Sequence, residues 1–287
     1  MTKQANKRNK RNKKSAQQFP ARWKILSGIC EMKVSAFSAL SGATTTTTPH
    51  GPMVYQDNGA DILAVAHLDH VLKQLPLFSG DTIQCGQLDD RLGVWGLLHG
   101  LRKYTDTKYD ILLCDSEEIG QSTAQYFTSA KQYNWGFELD RAGTDCVLYD
   151  YAGGALERRL RNSGWTIGNG AFSDISYLTN AGCDFVNFGI GYHAQHTTEC
   201  FANMSDVEQQ LEHVGSFLDK YAGEPAPYDD SWKYDDTYNH NDGYYNDNNN
   251  GAARKYCTCD AIYDNMFCRT MQHDYSWKYC PYCAGEL

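Results

Sequence analysis

The stretch ILAVAHLDHV (62–71) decides how this chain of 287 residues is read. Five consecutive apolar residues, too short for a helix and without alternation, read as a strand buried on both faces. His67 and Asp69 follow it directly. The same arrangement recurs down the chain. YDILLC (109–114) reads as a strand and is followed by DSEEIG with Glu117 and Glu118. WGFEL (135–139) is followed by Asp140, and FVNFGI (185–190) by GYHAQHTTEC with His193, His196 and Glu199. Helical patterns fall between them, over LGVWGLLHGLRKY (92–104) and ALERRLRNSG (155–164). In a last helix over 206–221, Val207, Leu211, Val214 and Leu218 share one face, with Ser205 as N-cap. Strands alternating with helices predict an α/β fold, a mainly parallel sheet covered by helices on both faces. The spacing also predicts a helix over Trp23–Phe37, a helix-like stretch at 121–130 and a strand at 146–151. SGATTTTTPHG (41–51) reads as a loop.

Composition divides the chain into four parts. Residues 1–20 form a basic arm too charged to fold, and 21–222 the α/β domain. Residues 223–255, rich in Asn, Asp, Tyr and Gly, read as a linker, and 256–287 as a small zinc-ribbon-like module. Nine Lys and Arg and no acid lie in residues 1–24, so the net charge of −9 hides a strongly acidic body. A basic arm on an acidic body suits a nucleic acid or an anionic protein partner, and its bland reading is a solvated tail. No run of 18 apolar residues exists, so no membrane span is predicted, and no secretory leader follows the basic start. A cytoplasmic protein is the resulting expectation.

Eleven cysteines argue against a disulfide framework by their placement. Cys30, Cys85, Cys114, Cys146, Cys183 and Cys200 are scattered in apolar surroundings and read as buried thiols. Cys257, Cys259, Cys268, Cys280 and Cys283 crowd the end, as metal ligands do in a reducing compartment. YCTC and YCPYCAGEL form two thiolate turns, and Cys257, Cys259, Cys280 and Cys283 are the first choice for one structural zinc, with Cys268 or His273 as substitutes. CPYCAGEL resembles the second knuckle of zinc ribbons.

Acidic and imidazole groups just after apolar strands gather at one edge of a parallel sheet, where ligand sites of open α/β folds lie. Five segments contribute, the fifth being QLDDRLGV with Asp89 and Asp90 ahead of a helix. Each alone is as easily a solvated loop. Together, imidazole and carboxylate suit zinc, with cobalt or manganese as substitutes.

The order HxD, DD, EE, D, H over residues 55–221 resembles the co-catalytic zinc exopeptidases, a superfamily of bacterial aminopeptidases and peptidase T-like enzymes. LDDRLGV and DSEEIG carry the resemblance most closely. It implies two catalytic zinc ions: His67 and Asp140 on one, Glu118 and His196 on the other, and Asp89 bridging both. It implies Glu117 as general base, with Asp69 orienting the His67 imidazole, and a cis peptide between Asp89 and Asp90. His193 competes with His196 for the last place, Glu117 and Glu118 can exchange roles, and His70 reads as a bystander. The stretch between Asp140 and His196 is too short for the lid domain of many relatives, so the compact aminopeptidase form fits best. Substrate contacts are then expected from loops 74–87, 141–146 and 165–175, with Asp174 meeting a substrate amine or capping a helix. The implied function is a metal-dependent exopeptidase, an aminopeptidase, acting on a short peptide or small amide. An amidase, deacylase or carboxypeptidase of the same superfamily is the rival, for which Arg91 or Arg141 would bind a free carboxylate. A binding or scaffold protein acting through the arm and the tail is the rival from another class.

Overall fold

A computed structural model describes residues 21–229. The basic arm, most of the linker and the cysteine tail, including Cys257, Cys259, Cys280 and Cys283, lie outside the described residues.

Eleven strands and four α-helices are described. In chain order they are α1 (Ala21–Glu31), β1 (Ala43–Thr48), β2 (Gly51–Gln56), β3 (Ile62–His67), β4 (Leu77–Ser79), β5 (Thr82–Gln84) and α2 (Leu88–Trp95). Next come β6 (Asp110–Cys114), β7 (Trp135–Arg141), β8 (Cys146–Val147), α3 (Ala155–Asn162), β9 (Phe185–Gly189), β10 (Tyr192–His193), β11 (Phe201–Asn203) and α4 (Met204–Tyr221). The main sheet runs β1-β2-β6-β3-β7-β9-β8, and a small sheet runs β10-β11-β5-β4. Strands β6, β3, β7 and β9 are mutually parallel, while β1, β2 and β8 pair antiparallel at the margins. Every residue of β3, β6 and β9 is buried, so both faces of the central sheet are covered. The mainly parallel α/β sheet expected from the sequence is therefore present. All six cysteines of the described part are buried free thiols, as read.

Several local expectations are corrected. The threonine run is a strand, not a loop: Ala43–Thr48 pairs with Gly51–Gln56 through a two-residue turn at Pro49-His50. Its residues are exposed on both faces, so no apolar alternation announced it, and β-branched propensity alone marked it. The first helix stops at Glu31 and a 3-10 turn covers Val34–Ala39. Residues 121–130 contain only a 3-10 turn, Thr123–Tyr126, capped by Ser122. The strand at 146 ends after two residues and passes into a 3-10 turn over Tyr149–Tyr151. Asn203, not Ser205, caps α4; its side chain accepts the Ser205 N–H. Helix α2 continues past Trp95 as a π turn over Gly96–Gly100 and a 3-10 turn to Lys103.

Because β3, β6 and β7 run parallel, the groups that follow them emerge on one edge. Helix α2 packs on β3 and β7, which sets its first turn against that edge. Gly93 permits the approach: a Cβ there would come within 2.2 Å of Asp90 Oδ1 and 2.6 Å of the Leu139 carbonyl oxygen.

Candidate metal centre

His67 ends β3 and is fully buried, so its imidazole cannot swing to solvent. Its Nδ1 lies 3.2 Å from the Asp69 carbonyl oxygen and 3.4 Å from Asp69 Oδ1. Its Nε2 faces three carboxylates: Asp89 Oδ1 at 3.1 Å, Asp140 Oδ1 at 3.3 Å and Glu117 Oε2 at 3.9 Å. His196, in the loop between β10 and β11, points its Nε2 at Asp89 Oδ2, 3.1 Å away, and Glu118 Oε2, 3.0 Å away. The two oxygens of one carboxylate, Asp89, thus serve two imidazoles.

Asp69 does more than touch His67. Its Oδ1 accepts the Glu117 N–H at 3.1 Å and its Oδ2 the Glu118 N–H at 3.0 Å. One carboxylate therefore fixes the Glu117–Glu118 turn against the imidazole. Left-handed residues bracket that turn, Ser116 at φ 66° and Gly120 at φ 67°. The peptide between Asp89 and Asp90 is cis. Asp90 is turned away from the cleft: its Oδ2 accepts the His67 N–H at 3.1 Å and its Oδ1 the Gly93 N–H at 3.0 Å. It is within ligand reach of His67 and Asp140, but both its oxygens are used on the backbone, so Asp89 is the better-placed carboxylate.

The structure separates the remaining sequence candidates. His193 is exposed and packs on Phe201, with ring centroids 5.2 Å apart. His70 is half-buried, its Nδ1 has no hydrogen-bond partner among the described residues, and it does not line the cleft. Asp174 is buried, accepts from Ser122 Oγ and is not among the residues lining the cleft, and Ser173 rather than Asp174 is the cap of its short helix. Arg91 is fully buried, donating to the Met32 carbonyl oxygen with its guanidinium over the Phe37 ring. Arg141 reaches the cleft, but Asp145 binds it bidentately at 2.9 Å through both Nε and Nη2.

The cleft in front of these groups measures about 410 Å³. Gly120, Arg141 and Ala142, Gly170 to Phe172, Tyr149, Asn187, Tyr192 and Gln195 complete its walls. Loops 141–146 and 165–175 contribute as expected; loop 74–87 does not. Tyr149 and Asn187 were missed from sequence. Asn187 had a signal, a lone amide inside the apolar run FVNFGI, whereas Tyr149 had none. Among the described residues the non-glycines with left-handed φ are Ser116, Tyr149, Ala194 and His196. All four lie in the cleft or adjoin its residues, and such strain concentrates at functional sites.

Without a cation this cluster is electrostatically unfavourable. A single Nε2 proton on His67 cannot satisfy two carboxylate oxygens at once, and Asp140 Oδ1 and Glu118 Oε1 are buried without a hydrogen-bond partner. Burial raises the Asp140 carboxyl to about 8, with the Asp89 charge adding to it. Burial likewise pushes Glu117 well above the carboxylate range, helped by Asp140, Asp174 and Glu118 and opposed by His67. Hydrogen bonds from His196 and His67 overcome burial at Asp89 and hold it low. Hydrogen bonds to Asp89 and Glu118 raise His196 to about 11. Burial works to lower His67, but Asp140, Asp69 and Asp89 outweigh it and hold it high. Protons stand here where cations fit: the donor set of imidazole and carboxylate is one that divalent transition metals take. His67, Asp89 and Glu118 offer ligand atoms within 4.8 Å of one another.

A pH dependence follows. A carboxyl whose pKa is raised by folding keeps its proton longer in the fold, so stability falls as pH rises from about 4 through the folded value. Asp174, raised to about 6 by burial, and Asp140, raised to about 8, both act this way, and so do the raised His67 and His196 above their unfolded value near 6.5. In chelator, the melting temperature should fall by about 5 °C or more between pH 5 and pH 8. Added zinc should restore it at pH 8. A flat or rising profile in chelator would contradict the electrostatics described here.

No protein-family model matches this sequence, and no curated protein sequence matches it. Solved structures do share its fold. A tripeptidase from Staphylococcus aureus superposes with a TM-score of 0.54 at 10% identity, over 70% of this chain and 98% of that one. An aminopeptidase from the archaeon Desulfurococcus kamchatkensis gives a TM-score of 0.50 at 11% identity, over 70% of this chain and 95% of that one.

Proposed function

We propose that this chain, which has the fold of these peptidases, is a two-zinc exopeptidase of the aminopeptidase type, cutting an amide bond at the end of a short peptide. The observation that carries the reading is the sharing of Asp89 between His67 and His196, with Glu117 beside them. His67, Asp89 and Asp140 would hold one zinc, and Asp89, Glu118 and His196 the other. Cobalt or manganese would suit the same donors. When bound, such a pair supplies Lewis acidity to a carbonyl and to the attacking water.

The chain's own residues do the rest. Glu117 takes the proton of the attacking water and returns it to the leaving nitrogen. Asp69 positions Glu117 and Glu118 through their backbone N–H groups and supports the His67 ring, as outer-shell carboxylates do. Recognition of a substrate carboxylate would need a free cation. The one arginine or lysine among the residues lining the cleft, Arg141, is occupied by Asp145. That favours a substrate presenting an amine terminus and an uncharged side chain over a carboxypeptidase substrate.

A panel of aminoacyl anilides, N-acyl amino acids and N-blocked dipeptides, run on zinc-loaded full-length protein, tests the reading. Cleavage of the aminoacyl series is expected. Preference for N-acyl or C-terminal substrates would move the chain to an amidase or carboxypeptidase. No cleavage of any, with the cluster metal-free, would leave a binding protein.

A further inference from the structure

Tyr149 stands at the cleft in a left-handed backbone conformation, φ 47°, which a bulky residue adopts only at a cost. Its ring lies against Gly170, where an added Cβ would come within 2.8 Å of ring carbon Cε1. The phenol oxygen accepts from Asn187 Nδ2 at 3.3 Å. The amide of Asn187 cannot turn round, because its Oδ1 accepts the Asp140 N–H at 3.0 Å. A rigid relay thus runs from the backbone of Asp140 through Asn187 to Tyr149. The phenol's own proton has no acceptor among the described residues, and Tyr149 lines the same cleft as Asp89, Glu117, Glu118, Asp140 and His196. Burial, with Glu138, Asp140 and Glu117 nearby, pushes its pKa up, so the hydroxyl stays a donor.

We infer that Tyr149 is a catalytic residue, its unused O–H donating to the scissile carbonyl oxygen as that carbon becomes tetrahedral. The inference rests on the hydrolase reading above. In the step concerned, the water oxygen bonds to the carbonyl carbon while Glu117 takes the water's proton. The carbonyl π pair moves onto oxygen, where the intact Tyr149 O–H meets the new negative charge. On collapse that pair re-forms the carbonyl, the C–N bond breaks, and the nitrogen leaves with the proton from Glu117. A donor held by Asn187 before substrate arrives needs no reorganisation when charge develops, which is the condition for a large effect. An interaction that strengthens only in the transition state acts on kcat and not on KM.

The test is Tyr149→Phe in the full, zinc-loaded chain, which keeps the ring on Gly170. The expected result is a fall in kcat of about 100-fold with KM nearly unchanged. Affinity for a phosphinic peptide analogue with a tetrahedral anionic centre should fall in parallel, while metal content and melting temperature hold. An unchanged kcat overturns the inference. So does a higher KM at constant kcat, which would make Tyr149 a ground-state contact, or a loss of metal or stability matching the loss of rate. If the wild type cleaves nothing, the hydrolase reading fails and takes this inference with it. If the wild type cleaves and the variant equals it, only the role of Tyr149 falls.

Discussion

Glu117→Gln is expected to lower kcat about 1,000-fold while metal content and fold stay as they are. Glutamine matches glutamate in shape but cannot take a proton, so the variant removes one chemical capacity and little else. The position argues for a base. Glu117 Oε2 lies 3.9 Å from His67 Nε2, farther than the Asp89 and Asp140 oxygens that face the same nitrogen. Its backbone is fixed by Asp69, so the carboxylate is aimed without spending its own oxygens on the fold. Burial raises its proton affinity, and a base of raised pKa is the better acceptor near neutrality. The neighbouring Glu118→Gln should behave differently, because Glu118 Oε2 sits 3.0 Å from His196 Nε2: metal would be lost along with rate. Steady-state kinetics with metal analysis on both variants separates the two roles. Metal lost from Glu117→Gln and retained in Glu118→Gln would exchange them.

Asp89→Ala should be the most damaging substitution in the cleft. Both its oxygens are engaged at 3.1 Å, one by each imidazole, so a single change removes a partner from both sides. Bound metal should drop from two ions in the cleft to fewer than one. Activity should fall by more than about 10⁴-fold, about 5.5 kcal/mol of transition-state stabilisation. The fold should persist, since Asp90 and not Asp89 holds the His67 and Gly93 backbone. Circular dichroism checks that point, and metal retained at two ions per cleft would remove Asp89 from its bridging place.

What the sequence revealed and concealed follows from which interactions are local. The central strands announced themselves because they are buried on both faces and so read as unbroken apolar runs, as at 62–66 and 111–114. Their following acids and imidazoles then fell on one edge, because parallel strands share a direction. The choice of His196 over His193 is tertiary: His193 ends β10 and His196 lies three residues on in the following loop, and the left-handed turn at Ala194 and His196 aims the second at Asp89. The division of labour in Asp89-Asp90 is of the same kind, one residue facing the cleft and its neighbour the backbone. Arg141 looked available for a carboxylate until Asp145, four residues on, was found holding it. The threonine strand and the failed helix at 121–130 have no apolar periodicity to read, so pairing and capping decided them. Tyr149 belongs with these, since only the fold brings it to Asn187.

The central claim is that one carboxylate, Asp89, joins two metal ions. Anomalous diffraction at the zinc edge from crystals of the zinc-loaded full-length protein tests it most directly. The account predicts two peaks about 3.5–4 Å apart, one among His67, Asp89 and Asp140 and one among Asp89, Glu118 and His196. A single peak, or none, between these side chains would contradict it.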